Sequence, residues 1–265
     1  MTLAEDLLDI ATRIAREAGD LAVRRRNEGL EIATKSVAAD IVTAADKEVE
    51  AFVRAELERE RPDDGFFGEE SAAQESRSGI TWVVDPIDGT VNYAYGIPAW
   101  AVSIAAVEGS DDPATWSAVA GVVYNPVSGE MFRASRGGGA WLGEQRLVVT
   151  AEVGPAGALI ATGFGYDPAT HAPTLERLAR VMPIARDIRR IGAASLDLAS
   201  VAAGRMDAYY EKGTNPWDHA AGVLLVEEAG GMVGGAPGGR PGKGMVIAAG
   251  PGVYRRLEAI LEPEL

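Results

Sequence analysis

The stretch at residues 82–98, WVVDPIDGTVNYAYGIP, constrains this chain more than any other. It opens on an apolar run, Trp82 to Val84, then delivers Asp85 and Asp88 around Pro86, with Gly89 and Thr90 directly after. An apolar run ending in acid–Pro–X–acid–Gly–Thr reads as a buried strand stopping at a tight turn. Two aspartates at a strand end can share hard cations through oxygen ligands. Gly89 lets backbone come close to a ligand, and amides opening the next helical turn face an anion. The stretch implies a metal-assisted phosphate site, which carboxylates from elsewhere must complete.

Other chemistries are excluded by what the chain lacks. It has no cysteine, so disulfides and thiolate metal sites are absent and a cytoplasmic location is the default. His171 and His219 are its only histidines, which rules out a zinc site of several imidazoles. His219 reads as a helix-surface or packing residue. A net charge of −14 speaks against direct nucleic-acid binding. No apolar run is long enough to span a bilayer. Glu5 and Asp6 interrupt the first apolar residues, so no signal peptide is expected. At 265 residues, the chain suits one large domain or two closely joined halves.

Apolar spacing predicts helices over residues 3–23 and 43–59, the second with Thr43 as N-cap and Asp46 three residues on. Arg24, Arg25 and Arg26 are read as closing the first. A short strand is expected at 30–34 and a polar turn at 35–39. Paired strands follow at 99–107 and 116–124, then a meander at 130–134 and 140–142 around a glycine hairpin turn at 137–139. From Thr150 strands at 158–162, 187–191, 206–210 and 245–249 alternate with helices at 174–182, 194–203, 217–229 and 252–261. The first half, 1–150, reads as α+β with a largely antiparallel sheet, and the second, 151–265, as α/β. Layers of helix must cover both faces of each sheet.

The candidate carboxylates sit at element ends: Asp46, Glu69, Glu70, Asp85, Asp88 and Asp218. Alone, each has a plain explanation. Asp46 and Asp218 suit first helical turns, and adjacent glutamates are usually surface charge. Together they carry more. Gly68-Glu69-Glu70-Ser71, Asp85-Pro86-Ile87-Asp88-Gly89-Thr90 and Trp217-Asp218-His219-Ala220-Ala221-Gly222 resemble, in order and spacing, the three signatures of the inositol monophosphatase family of Mg²⁺-dependent phosphatases. The segments from Asp40 to Asp46 and from Ile191 to Asp197 are similar to further family segments, and the likeness runs over essentially the whole chain.

That resemblance implies a layered α-β-α-β-α sandwich of the sugar-phosphatase type. It implies two to three Mg²⁺ ions: a first on Glu69, Asp85 and the Ile87 carbonyl, a second on Asp85, Asp88 and Asp218, and a weaker third on Glu69. The implied reaction is hydrolysis of a phosphate monoester by activated water, with Thr90 and Asp46 as the water-activating pair and Glu70 as helper. Gly89 and Thr90 amides would hold phosphate, and Ala193, Ala194, Glu211 and Asp218 would line the alcohol pocket. Inositol-1-phosphate, or a similar sugar or polyol phosphate, is the expected substrate. Histidinol phosphate, fructose-1,6-bisphosphate and 3′-phosphoadenosine phosphates are alternatives, as is an accessory role beside transcription machinery. A homodimer and inhibition by lithium are expected on the same ground.

Overall fold

The computed structural model of the chain describes residues 2–29, 32–34, 41–109, 112–235 and 239–261, with backbone alone at 32–34 and 41–43. The turn expected at 35–39, Asp40 and the Thr43 side chain lie outside the described atoms.

Helix α1 (Leu3–Glu28) starts at a reciprocal cap: the Glu5 amide donates to Thr2 Oγ1 and the Thr2 amide to Glu5 Oε2, at 3.3 and 2.7 Å. Its stripe of Leu7, Ala11, Ile14, Ala18 and Ala22 is buried. It runs past the expected stop at residue 23. The arginines there are good helix formers, and Arg25 pairs with Glu28 and with Glu48 of the next helix, each at 2.5 Å. Strands β1 (Ile32–Thr34) and β2 (Ile41–Thr43) pair with each other, and α2 (Ala44–Glu60) follows.

Seven strands then form one sheet: β3 (Gly65–Gly68), β4 (Ile80–Asp88), β5 (Ala101–Glu108), β6 (Ser117–Asn125), β7 (Glu130–Ser135), β8 (Gly139–Leu142) and β9 (Gln145–Arg146), in chain order. The short helix α3 (Thr90–Tyr95) links β4 to β5. Every pairing is antiparallel except β3 with β4, which is parallel. Strand β3 was not expected; its terminal glycines mask a four-residue strand that only pairing with β4 reveals.

The second sheet has the order β11-β10-β12-β14-β13, built from β10 (Ala158–Thr162), β11 (Ala185–Arg189), β12 (Ala208–Glu211), β13 (Met232–Gly234) and β14 (Val246–Ala249). Strand β10 runs parallel to β11 and β12, whereas β14 is antiparallel to its neighbours. Helices α4 (His171–Val181), α5 (Ala194–Ala202), α6 (Pro216–Glu228) and α7 (Pro251–Leu261) complete the chain.

Side-chain alternation sorts the strands into three cores. On β5, Val102, Ile104 and Ala106 pack toward α1 and α2, while Ala101, Ala105 and Val107 pack toward α5 and α6. On β14, Val246 and Ala248 meet that same middle layer, and Ile247 and Ala249 meet α7. The stack is therefore α1/α2, the seven-stranded sheet, α5/α6, the five-stranded sheet, then α4/α7. This is the α-β-α-β-α order implied by the resemblance.

Candidate active site

The same alternation aims the acidic side chains. Val83 of β4 packs into the middle layer and its neighbours Trp82 and Val84 into the outer one, so Asp85 returns to the middle. Because β3 is parallel to β4, with Gly68 opposite Val84, Glu69 leaves the sheet at the edge where Asp85 stands. Across the layer, Tyr209 of β12 faces inward while Ala208 and Tyr210 face out, so Glu211 also points inward. Asp218 enters from the first turn of α6, between the sheets.

These residues line one cleft of about 180 Å³. Glu69, Asp85, Ile87, Asp88, Gly89, Thr90 and Asp218 line it together with Ala193, Ala194 and Glu211. Asp46 is fully buried, and Thr90 Oγ1 lies 3.1 Å from Asp46 Oδ1 and 3.1 Å from the Ile87 carbonyl. One hydroxyl hydrogen serves one of these acceptors at a time, leaving lone pairs of Oγ1 for another donor. Glu70 does not line the cleft. Its amide donates to Glu50 Oε2 at 2.8 Å.

Local structure holds each group. Gly89 has φ +93°, and a Cβ there would meet the Ala99 and Gly192 carbonyls at 3.1 Å, so only glycine turns the chain from β4 into α3. Asn92 of α3 donates to the Ala99 and Ile191 carbonyls at 2.7 and 2.9 Å, tying the turn to the segment before α5. Asp85 Oδ1 accepts the Ile87 amide at 3.0 Å. Asp88 Oδ2 accepts both the amide, at 2.7 Å, and the hydroxyl of Ser195, at the N-terminal end of α5. Asp218 Oδ2 accepts the Asn215 amide at 2.7 Å, so it also caps its own helix.

Crowding dominates the electrostatics. Burial raises the Asp85 pKa well above the ordinary carboxylate value, and the charges of Glu69, Asp88, Asp218 and Asp46 raise it further. Asp218 is raised by burial and by Asp88, Glu69 and Glu211, against the Asn215 amide. Asp88 is raised by burial, with the Ser195 bonds opposing. A set of oxygen donors whose negative charges repel one another suits divalent cations. Among the described residues no three His, Cys, Asp or Glu side chains close into a ready-made cage. Mg²⁺ does not need one, because it keeps waters and shares its coordination with substrate phosphate.

Burial pushes Glu211 up to about 7, while the Tyr209 hydroxyl, donating to Oε2 at 2.9 Å, and the charge of Arg190 hold it down. Gly163 is the close approach here: a Cβ on it would overlap the Glu211 carboxylate. His219, one residue round α6 from Asp218, turns away from the cleft into a separate cavity of about 270 Å³ and is buried, its pKa lowered to about 4 by that burial. This agrees with a packing role.

Sequence reasoning missed Glu50, Ser195 as a partner of Asp88, and Arg190. Glu50, 2% exposed, lies one helical turn beyond Asp46 on the buried face of α2 and anchors the Glu69–Glu70 loop. An acid four residues after a buried acid, on an apolar stripe, was the available signal.

The sequence profile of the inositol monophosphatase family matches residues 3–262. The chain belongs to the inositol monophosphatase family. It is a phosphatase, a hydrolase of phosphate monoesters. The inositol-1-monophosphatase of Mycobacterium leprae is 40% identical over 97% of the chain and 94% of its own length. The Nus factor SuhB of Escherichia coli is 38% identical over 98% of the chain and 97% of its length. The crystal structure of the extragenic suppressor protein suhB from Bartonella henselae matches with a TM-score of 0.89 at 38% identity, covering 98% of this chain and 100% of that one. Members of the inositol monophosphatase family act on phosphorylated small molecules; Mg²⁺ dependence and lithium sensitivity are family properties. No helix among the described residues is long and apolar enough to cross a membrane.

Proposed function

We propose that this phosphatase hydrolyses inositol-1-phosphate, or a closely similar polyol monophosphate, to the free polyol and phosphate. One observation carries the reading: the crowded carboxylates stand in the same cavity as Glu211, an acceptor suited to vicinal hydroxyls. Glu69, Asp85 and the Ile87 carbonyl would hold one Mg²⁺; Asp85, Asp88 and Asp218 a second; Glu69 a weaker third. When bound, these ions supply Lewis-acid neutralisation of the phosphate and lower the pKa of water.

The chain's own groups do the rest. Thr90 Oγ1 takes a proton from the attacking water while passing its own to Asp46, across 3.1 Å. Asp46, sealed from solvent, acts through that hydroxyl. Glu70, outside the cleft, would assist by fixing the loop that carries Glu69, its amide held by Glu50. The amides of Gly89 and Thr90 hold phosphate oxygens as the water oxygen bonds to phosphorus and the ester P–O bond breaks. A water near Asp218 protonates the departing alkoxide. The backbone at Ala193 and Ala194 walls the alcohol side.

The two halves, 1–150 and 151–265, meet in this chemistry, the second supplying Asp218 and Glu211. We further propose a cytoplasmic homodimer that binds neither nucleic acid directly nor membrane. A protein-partner role is the second reading, supported by the name Nus factor carried by one relative. Comparing kcat/KM with Mg²⁺ for inositol-1-phosphate, histidinol phosphate, fructose-1,6-bisphosphate and 3′-phosphoadenosine phosphate tests the assignment. Inositol-1-phosphate is expected to lead; a clear preference for histidinol phosphate would overturn it.

A further inference from the structure

Of the crowded carboxylates, Asp85 and Asp88 stand on β4 and Asp218 on α6, but Glu69 stands on no strand or helix. It follows the last residue of β3 and opens the loop at 69–79. That loop returns to the sheet at Gln74, which donates to the Phe66 carbonyl at 2.8 Å and accepts the Phe66 amide at 3.0 Å. Between the end of β3 and that bridge, where Glu69 sits depends on what grips residues 69–73.

Helix α2 grips them twice. Glu50 and Arg54 follow Asp46 by four and eight residues, so the three side chains share one face of the helix. Glu50 Oε2 accepts the Glu70 amide at 2.8 Å, and a Cβ on Gly68 would overlap that same oxygen. Both chain neighbours of Glu69 therefore meet one carboxylate. One turn on, Arg54 donates to Ser71 Oγ and the Ala72 carbonyl, each at 3.1 Å, and to Gln74 Oε1 at 3.0 Å. Its guanidinium lies 5.1 Å from the centre of the Phe66 ring. A carboxylate buried as deeply as Glu50 is costly unless it is bonded, and it bonds this loop. The same helix presents Asp46 to Thr90, so one rigid element sets the place of both Glu69 and the water-activating pair.

We propose that Glu50 and Arg54 are positioning residues: they clasp the loop behind Glu69 and thereby set the Mg²⁺ affinity of that carboxylate without touching the ion. The clasp rests on the reading of Glu69 as a Mg²⁺ ligand and extends it. A ligand held in place before the ion arrives loses less conformational freedom on binding, so releasing it weakens the ion's hold. Groups that orient a metal ligand from behind typically cost about 10–100-fold in affinity when removed. The hydrogen bond, rather than the mere negative charge of Glu50, carries this effect, and a neutral acceptor at the same place separates the two.

The test is the melting temperature of the intact protein titrated with Mg²⁺ alone, which reads metal affinity without substrate. If Mg²⁺ does not raise the wild-type melting temperature, or Glu69→Gln leaves its concentration dependence unchanged, the metal reading of Glu69 fails before any clasp variant is made. Glu50→Met fills the same space without a strong acceptor and should weaken Mg²⁺ about tenfold; Arg54→Ala should weaken it about threefold. Glu50→Gln keeps an acceptor for the Glu70 amide and should stay within about twofold of wild type. A loss there as large as in Glu50→Met would make charge the cause and overturn the clasp. In a Glu69→Gln background, Glu50→Met should weaken Mg²⁺ no further, since it acts through Glu69; a second tenfold loss would place its action elsewhere. A merely structural Glu50 would lower the metal-free melting temperature and leave the Mg²⁺ dependence alone, and that result also overturns the proposal. Should Glu50→Met not fold, the half-buried Arg54→Ala decides by the same criterion.

Discussion

One group in the cleft, Glu69, Asp85, Asp88 and Asp218, arrives from three separate stretches of chain; burial raises the pKa of each aspartate, and neighbouring carboxylates raise it further at Asp85 and Asp218. In the same cleft, Glu211 is paired with Tyr209 and offset by Arg190, and its pKa is pushed up to about 7. The aspartate cluster stores unfavourable charge that cations relieve, whereas Glu211 is closer to internally satisfied. Damage to the two groups should therefore register differently: at the crowded carboxylates in the rate with every ester, at Glu211 in the choice among esters.

Asp85→Asn should make the largest break. Removing the most crowded charge of the cluster is expected to lower kcat by about 10³-fold or more on every phosphate monoester. It should also raise the melting temperature in EDTA, because less like charge is then buried. A variant with full turnover would show that the cluster is not the reaction centre. Thr90→Ala should come next, with kcat down about 10²-fold and the Mg²⁺ concentration dependence little changed, since the lost group moves a proton. An equal shift in Mg²⁺ requirement would instead place Thr90 in metal binding.

A gentler probe needs no substrate. Asp85, Asp88 and Asp218 hold protons more tightly folded than unfolded. Between the unfolded carboxylate pKa of about 4 and the raised folded values, the native state binds more protons, so stability must fall as pH rises through that window. Metal-free protein should therefore melt at progressively lower temperature from about pH 4 toward neutrality, and Mg²⁺ should flatten the slope. A melting temperature that rises over that range in EDTA would contradict the crowding.

The crowded carboxylates were legible in the sequence because they sit in short local motifs, where turn chemistry and function coincide. Asp85 to Thr90 announces a strand end, a glycine turn and a helix start at once. The surroundings of Glu211 were legible through Glu211 itself, Ala193 and Ala194, but not Arg190, which sits in no helix or strand and belongs to no motif yet lines the same cleft. The layers could be read from alternating apolar residues, but β3 and β13 could not. Each is a strand of four residues or fewer bordered by glycine, and pairing rather than local preference makes it a strand. The end of α1 was misplaced for a related reason: the Arg25–Glu48 contact that extends it joins residues far apart in sequence.

One comparison tests the division of the cleft most directly: Asp85→Asn and Glu211→Gln, each assayed on inositol-1-phosphate and on 4-nitrophenyl phosphate with Mg²⁺. Asp85→Asn should lower kcat on both esters alike and leave their kcat/KM ratio where it was. Glu211→Gln should lower that ratio by about tenfold, chiefly through KM for inositol-1-phosphate. Equal losses on both esters from Glu211→Gln would contradict a selecting group distinct from the reacting ones.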